Sequence, residues 1–395
     1  MAVVVLLVAV SCTGSGSESG PAVGRTPSPL PGDRLEGGVI INPDGEKLAA
    51  ATLQTIGWRT DFTRRTVPFK EIFSGGPPKD GIPAIDKPKF VTFNEADKFL
   101  DPLEPVAAVE VNGEAKAYPL QILVWHEIVN DVINGEPITV TFCPLCNTTI
   151  AFFRSFGGQV LDFGTTGNLR FSDLVMYDRQ TETWWQQLDG QGIVGTHAGK
   201  RLEFYPSSVI SYADFKSSFP QGQVLSRDTG FSRSYGRNPY VGYDSNQNPF
   251  LFDGPRDDRL PAVERVVAVD LQGEPVAYPF SALQKKRVVN DTVGGEPIVV
   301  FFKLGTKSAL DASSFKDSDD IGSGVVFNRQ VDGQLLTFTA EKDRFRDQET
   351  GTLWDITGRA VEGRLAGKQL KPVVHGNHFW FSWAVFKPDT RIYGS

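Results

Sequence analysis

Cys143 and Cys146 are separated by two residues in C-P-L-C. That spacing lets two thiolates clasp one metal ion or close a small disulfide ring. Two sulfurs make half of a tetrahedral site, and the chain has four histidines to complete it: His126, His197, His375 and His378. His126 lies 17 residues before Cys143, so the expected metal set is His126, Cys143 and Cys146, with a fourth position open or weakly held. Soft thiolates select copper(I) or zinc over magnesium or calcium. Glu127 is a candidate to orient a ligand or act as a general base, Met176 offers a thioether, and His378 is a candidate donor from across an interface. A structural disulfide and a redox-active dithiol remain open beside the metal site. C-P-x-C resembles the glutaredoxin motif, but there it opens a helix, whereas T-T-I-A-F-F at 148–153 reads as a strand. His197, in G-T-H-A-G-K, reads as a loop residue, and Trp184, Trp185, Trp380 and Trp383 read as core.

An internal repeat sharpens the choice. Residues 106–142 align without a gap on 266–302, with 18 of 37 positions identical. The shared skeleton is V-x-A-V-x-x-x-G-E-x-x-A-Y-P, then V-N-D, then G-E-P-I-x-V-x-F; weaker echoes pair D-R-Q-T-E-T-W-W at 178–185 with D-Q-E-T-G-T-L-W at 347–354. Where the first copy has His126, Glu127, Cys143 and Cys146, the second has Lys286, Arg287, Lys303 and Thr306. Packing residues would be replaced by other apolar residues, but three of these four replacements are cations, which cannot bind a metal. One working site in the first copy and a structural copy in the second is the economical reading.

The elements that must hold these residues are β-like. V-A-A-V-E-V and A-K-A-Y-P-L flank Asn112-Gly113-Glu114 as a hairpin, and P-I-T-V-T-F at 137–142 reads as a strand leading into C-P-L-C. Short helices are expected at 95–100, 119–126 and 212–218. The fold class is mainly β or α+β, as two pseudo-repeated β-rich lobes with few short helices. Lobe one spans 90–230 and carries the Cys/His site, a connection runs over 231–262, and lobe two is a degenerate repeat over 263–395. Residues 36–89 form an N-terminal extension packing on the lobes.

With 395 residues, net charge −7, 40% apolar and 22% charged residues, the chain can bury a large core, which excludes intrinsic disorder for most of it. No block of Lys or Arg offers a footprint for nucleic acid. There is no G-x-x-x-x-G-K-[ST] or G-x-G-x-x-G loop for nucleotide, and no H-E-x-x-H or G-x-S-x-G. Residues 2–11, A-V-V-V-L-L-V-A-V-S, are too short an apolar run to span a bilayer and read as an export signal. Ala9 and Ser11 before Cys12 resemble a bacterial lipobox, so 1–12 is read as signal and lipobox, Cys12 as the lipid attachment site, and 13–35 as a flexible tether. The expected location is the cell envelope outside the cytoplasmic membrane, with the membrane as partner through that lipid; protein partners are not legible.

G-G-P-P-K-D-G-I-P-A-I-D-K-P-K-F (75–90), W-H-E-I-V-N-D (125–131), T-F-C-P-L-C-N-T (141–148), L-V-M-Y-D-R-Q-T-E-T-W-W (174–185) and H-F-W-F-S-W-A-V-F-K-P-D-T (378–390) together resemble the bacterial and archaeal family catalogued as domain of unknown function 3179. The resemblance covers roughly 60–395. It implies an exported, often lipid-anchored protein and no established activity. His126, Glu127, Cys143, Cys146, Tyr177, Asp178, Trp185 and His378 fall on its characteristic motifs. The leading expectation is therefore an extracytoplasmic copper- or zinc-binding protein, for metal handling or as a redox cofactor site. Thiol-disulfide oxidoreductase chemistry at C-P-L-C is the first alternative, and non-catalytic binding of a small ligand with the cysteines as a structural disulfide is the second. Whether the chain is an enzyme is left open.

Overall fold

The computed structural model describes residues 30–394; the signal, Cys12 and most of the tether lie outside them. Its hairpins are set by turn chemistry. Strands Pro105–Val111 and Glu114–Pro119 are joined through Asn112 and Gly113 with φ of 48° and 90°. Positive φ at both turn positions matches the right-handed twist of the flanking strands, which is why Asn-Gly stands there. Pro119 then opens the helix Leu120–His126, which stops at Glu127 in the left-handed region, φ 58°. Hairpin Ile128–Ile133 with Glu136–Cys143 follows.

The second half repeats this order element for element. Arg265–Leu271 pairs with Glu274–Pro279, Phe280–Lys286 is the helix, Arg287 is its left-handed stop, and Val288–Val293 pairs with Glu296–Lys303. Residues common to both copies act as fasteners. The buried Tyr118 hydroxyl donates to Asp131 at 2.6 Å, and Tyr278 donates to Asp291 at 2.7 Å. Asn130 exchanges hydrogen bonds with the backbone of Phe163, as Asn290 does with Phe338. Asp178 accepts from the Trp185 indole at 3.0 Å and from Thr181, while Asp347 does the same with Trp354 at 2.9 Å and Thr350. Buried polar groups need such partners, so these motifs are explained by structure.

The described residues are mainly β, 40% strand and 14% helix, with their sheets in a propeller-like ring. From Gly32 onward the chain forms one compact unit. The two halves interlock: Thr148–Phe153 packs against Gly376–Phe379, and Ser208–Ser211 against Ser323–Asn328. One core carries Ile122, Phe142, Cys143, Cys146 and Trp185 together with Leu310, Phe315 and Phe379. The N-terminal extension lays strands on both edges of the sheet that holds Asp173–Asp178. Most of the connection between the halves is irregular, with one 3-10 turn at Tyr243–Ser245, and its Tyr235, Tyr240, Tyr243 and Phe252 pack on the core. Among the described residues no helix is long and apolar enough to cross a membrane.

Candidate metal centre

C-P-L-C is the loop of a hairpin. Cys143 ends the strand Glu136–Cys143 opposite Thr148, which begins Thr148–Phe153. Between them Pro144–Cys146 makes a 3-10 turn closed by left-handed Asn147, φ 53°. Proline's fixed φ favours this tight turn. It brings the sulfurs of Cys143 and Cys146 to 2.7 Å. The Ser172 carbonyl oxygen faces both, at 3.6 Å from Cys143 Sγ and 3.4 Å from Cys146 Sγ. Asp173 Oδ1 lies 3.1 Å from Cys146 Sγ. Donor atoms of Cys143, Cys146 and Asp173 all fall within 4.8 Å of one another, and all three residues are buried.

Asp173 is held from outside the loop. It begins the strand Asp173–Asp178 after Phe171 and Ser172, whose φ values are 54° and 64°. Two consecutive non-glycine residues there are strained, and neighbours must hold them. Phe171 lies under the Arg170 guanidinium, 4.4 Å from the ring centre, and against Phe386, while the Ser172 hydroxyl donates to the Phe250 carbonyl. The second carboxylate oxygen of Asp173 accepts from the Leu188 backbone N–H at 3.0 Å and from the Gln186 amide at 2.5 Å.

Burial pushes the Cys143 thiol up and the Cys146 thiol well up. It also raises Asp173 to about 6 and, with help from the charge of Asp173, Glu127 to about 8. Four acidic groups are thus raised, and the charges that act most on them are those of other acids. In the metal-free chain this has a signed consequence. Between the ordinary and the raised value the folded chain keeps a proton that the unfolded chain has lost, so stability falls as pH rises through that window. The windows run from 3.8 to about 6 for Asp173 and from 4.5 to about 8 for Glu127. Buried His375 and His378, lowered to about 4 and about 3, act in the opposite sense below about pH 6.5, so the effect is read as a difference: between about pH 6.5 and about pH 8 the urea midpoint of metal-free Glu127→Gln is expected to gain on that of metal-free wild type. A difference that does not grow across this range contradicts the burial of Glu127.

His126, expected as a ligand, is not among the donors that meet at the sulfurs. Its Nδ1 lies 2.7 Å from the Pro83 carbonyl and its Nε2 2.6 Å from the Tyr235 hydroxyl. Both ring nitrogens are engaged away from the sulfurs, because the helix ends one residue later and the imidazole faces the connection. Asp173 is the third group that meets the two sulfurs. Glu127, next in sequence, adds its charge to that of Asp173 at Cys143. Met176 is fully buried in the same core as the cysteines, opposite Trp185 in the sheet. His197 packs on Phe156 and Trp185. His378 does come across from the second half, but to backbone-linked groups: its Nδ1 is 2.8 Å from Thr148 Oγ1, which donates to the Cys146 carbonyl at 3.3 Å. Burial holds His378 neutral, with a pKa lowered to about 3.

Asp173 and Ser172, with Tyr240 and Tyr243 from the connection, are the residues that sequence reasoning missed; burial raises both tyrosine hydroxyls, helped by the charges of Glu127 and Cys143 at Tyr240 and of Cys146 and Cys143 at Tyr243. The repeat carries a signal for Asp173. Aligned on the aspartate–tryptophan fastener its counterpart is Lys342, and aligned on the hairpin turn it is Arg344, a cation in either register. At the other corresponding positions, Lys303 pairs with Asp214, and Thr306 bonds Ser323 at 2.7 Å. Residues 304–322 replace the tight loop 144–147.

A family model described as "Protein of unknown function (DUF3179)" matches residues 79–390, and the chain belongs to that family. No curated protein and no solved structure matches it.

Proposed function

We propose that the protein binds one zinc or copper ion through Cys143, Cys146 and Asp173, outside the cytoplasmic membrane. The carrying observation is the geometry: donor atoms of Cys143, Cys146 and Asp173 lie within 4.8 Å of one another, all three buried, and the charges that act most on them are those of other acids. Ionised, these groups would cost several kcal/mol each in such a site unless a cation neutralised them. Two thiolates and a carboxylate are a zinc donor set, and the hard carboxylate favours zinc over copper(I). A fourth position is left for water or another donor. Burial of every donor suits a retained ion better than one in rapid exchange. On this reading the two halves are copies of one duplicated unit, and the first alone kept the site.

Thiol-disulfide exchange fits less well, since an attacking cysteine needs an accessible, low-pKa thiol and both of these are buried and raised. The sulfur contact does favour a second reading, a disulfide staple. Elemental analysis of protein purified without chelators, paired with thiol counting under denaturing conditions, separates the two. About one metal per chain with two thiols besides Cys12 is expected; no metal and no free thiols at 143 and 146 would replace the metal site by the staple. For the anchor we propose lipidation at Cys12. Labelled fatty acid should enter the chain and be lost in Cys12→Ser; labelling that survives the substitution rules this out.

A further inference from the structure

Away from the cysteines, Lys116 on the strand Glu114–Pro119 meets Asp131 on the strand Ile128–Ile133. Lys116 Nζ lies 3.0 Å from Asp131 Oδ2, and each side chain is only 7% exposed. A lysine amine is a nucleophile and an aspartate carboxyl is an acyl group, so a buried contact between them is a place where a bond can form. Phe90 covers Nζ, 4.3 Å from the ring centre, and packs edge-on against Tyr118.

The groups around the pair are those an acyl transfer needs. Tyr118 is two residues from Lys116, on the same face of the strand, and donates its hydroxyl to Asp131 Oδ2 at 2.6 Å. The Val132 backbone N–H donates to Oδ1 at 2.7 Å, which places a fixed donor on the other carboxyl oxygen. Glu114 Oε1 lies 3.5 Å from Nζ, and Glu114 Oε2 is fixed by the Asn134 N–H at 2.9 Å. The second half keeps the tyrosine, the aspartate and the glutamate as Tyr278, Asp291 and Glu274, but has Val276 in place of the lysine. There Asp291 is paired with the half-exposed Arg391 at 3.0 Å. An ion pair is therefore available to this aspartate without a buried lysine.

We propose that Lys116 and Asp131 condense to an intramolecular isopeptide bond. The ammonium first gives one proton to Asp131 Oδ2, leaving a neutral amine beside a neutral carboxyl. Nζ attacks Cγ, with Oδ1 held by the Val132 N–H. Glu114 takes a second proton from Nζ and returns it to Oδ2, which the Tyr118 hydroxyl holds as it leaves as water. The Nζ–Cγ bond forms, the Cγ–Oδ2 bond breaks, the third proton stays on the amide, and nothing is oxidised or reduced. The product replaces two buried charges by an amide and closes residues 116–131 into a covalent loop.

Tryptic digestion of the denatured, reduced and alkylated full chain, read by mass spectrometry, tests this. Cleavage after a free Lys116 gives peptides 99–116 and 117–154. The linked chain should resist there and yield one peptide, 99–154, lighter than its sequence by one water. Asp131→Ala should restore the cut, and Lys116→Arg, which keeps the cation, should give both shorter peptides. Wild-type peptides 99–116 and 117–154 at their full masses overturn the inference. So does a water lost from 117–154 alone, which would place the dehydration in the aspartate's own backbone.

Discussion

Asp173→Asn is expected to weaken metal binding by at least 10- to 100-fold, and Cys146→Ser to remove stoichiometric metal altogether. The aspartate supplies one of three anionic donors, and losing even a residue that only orients a ligand costs about 10- to 100-fold in affinity. The amide keeps the side chain's shape: its oxygen can still accept from Leu188 and Gln186, and its NH₂ can face the sulfurs. Stability should move the other way. Burial holds the Asp173 carboxyl at about 6, so above that pH its ionisation opposes folding of the metal-free chain. Asp173→Asn removes that opposition, and metal-free variant should melt no lower than metal-free wild type at about pH 8. Competition with a chromogenic chelator reads the first effect and thermal melting the second. Unchanged affinity would show that the carboxylate is not a ligand. The corresponding changes in the second half, Lys303→Met and Thr306→Ser, should leave metal content untouched.

The second large effect lies in that other half. Trp354 is fully buried, and its indole donates to Asp347 at 2.9 Å. Trp354→Ala should cost about 3–5 kcal/mol through the cavity it leaves, with more lost because Asp347 loses a donor. Its metal stoichiometry should remain that of the wild type. Trp185→Ala in the first half should cost a similar amount and lose metal as well, because the next residue on that strand, Gln186, holds Asp173. Urea midpoints with metal analysis of the folded fraction check both. Equal loss of metal in the two variants would show that the centre depends on global stability, and not on its own sheet.

The strands around the centre were legible because they are local. P-I-T-V-T-F and T-T-I-A-F-F became Glu136–Cys143 and Thr148–Phe153, and Asn-Gly turned the hairpin where expected. The helices at Leu120–His126 and Tyr212–Ser218 lie where the sequence placed them, whereas the one expected at 95–100 forms at Phe93–Ala96, where Thr92 and Glu95 make a capping box. The helix Trp380–Phe386 was not foreseen: W-F-S-W-A-V-F is apolar nearly all round, so it has no periodic face to read, and almost all of it is buried. The helix Phe280–Lys286 was implied by the repeat and could have been transferred from Leu120–His126.

At the centre, the cysteine pair declared itself by spacing, while Asp173 lies 27 residues from Cys146 on another sheet, and no local pattern joins them. His126 sits in a different environment from the cysteines, with its ring nitrogens at the Pro83 carbonyl and the Tyr235 hydroxyl, so the concerted difference between the halves spans two environments.

X-ray absorption at the metal edge of protein purified without chelators tests the central claim most directly. Two sulfurs at about 2.3 Å and oxygen at about 2.0–2.2 Å, with no imidazole scattering, is the result expected for Cys143, Cys146 and Asp173 around zinc. Imidazole in the first shell, or a metal without sulfur, would contradict the assignment.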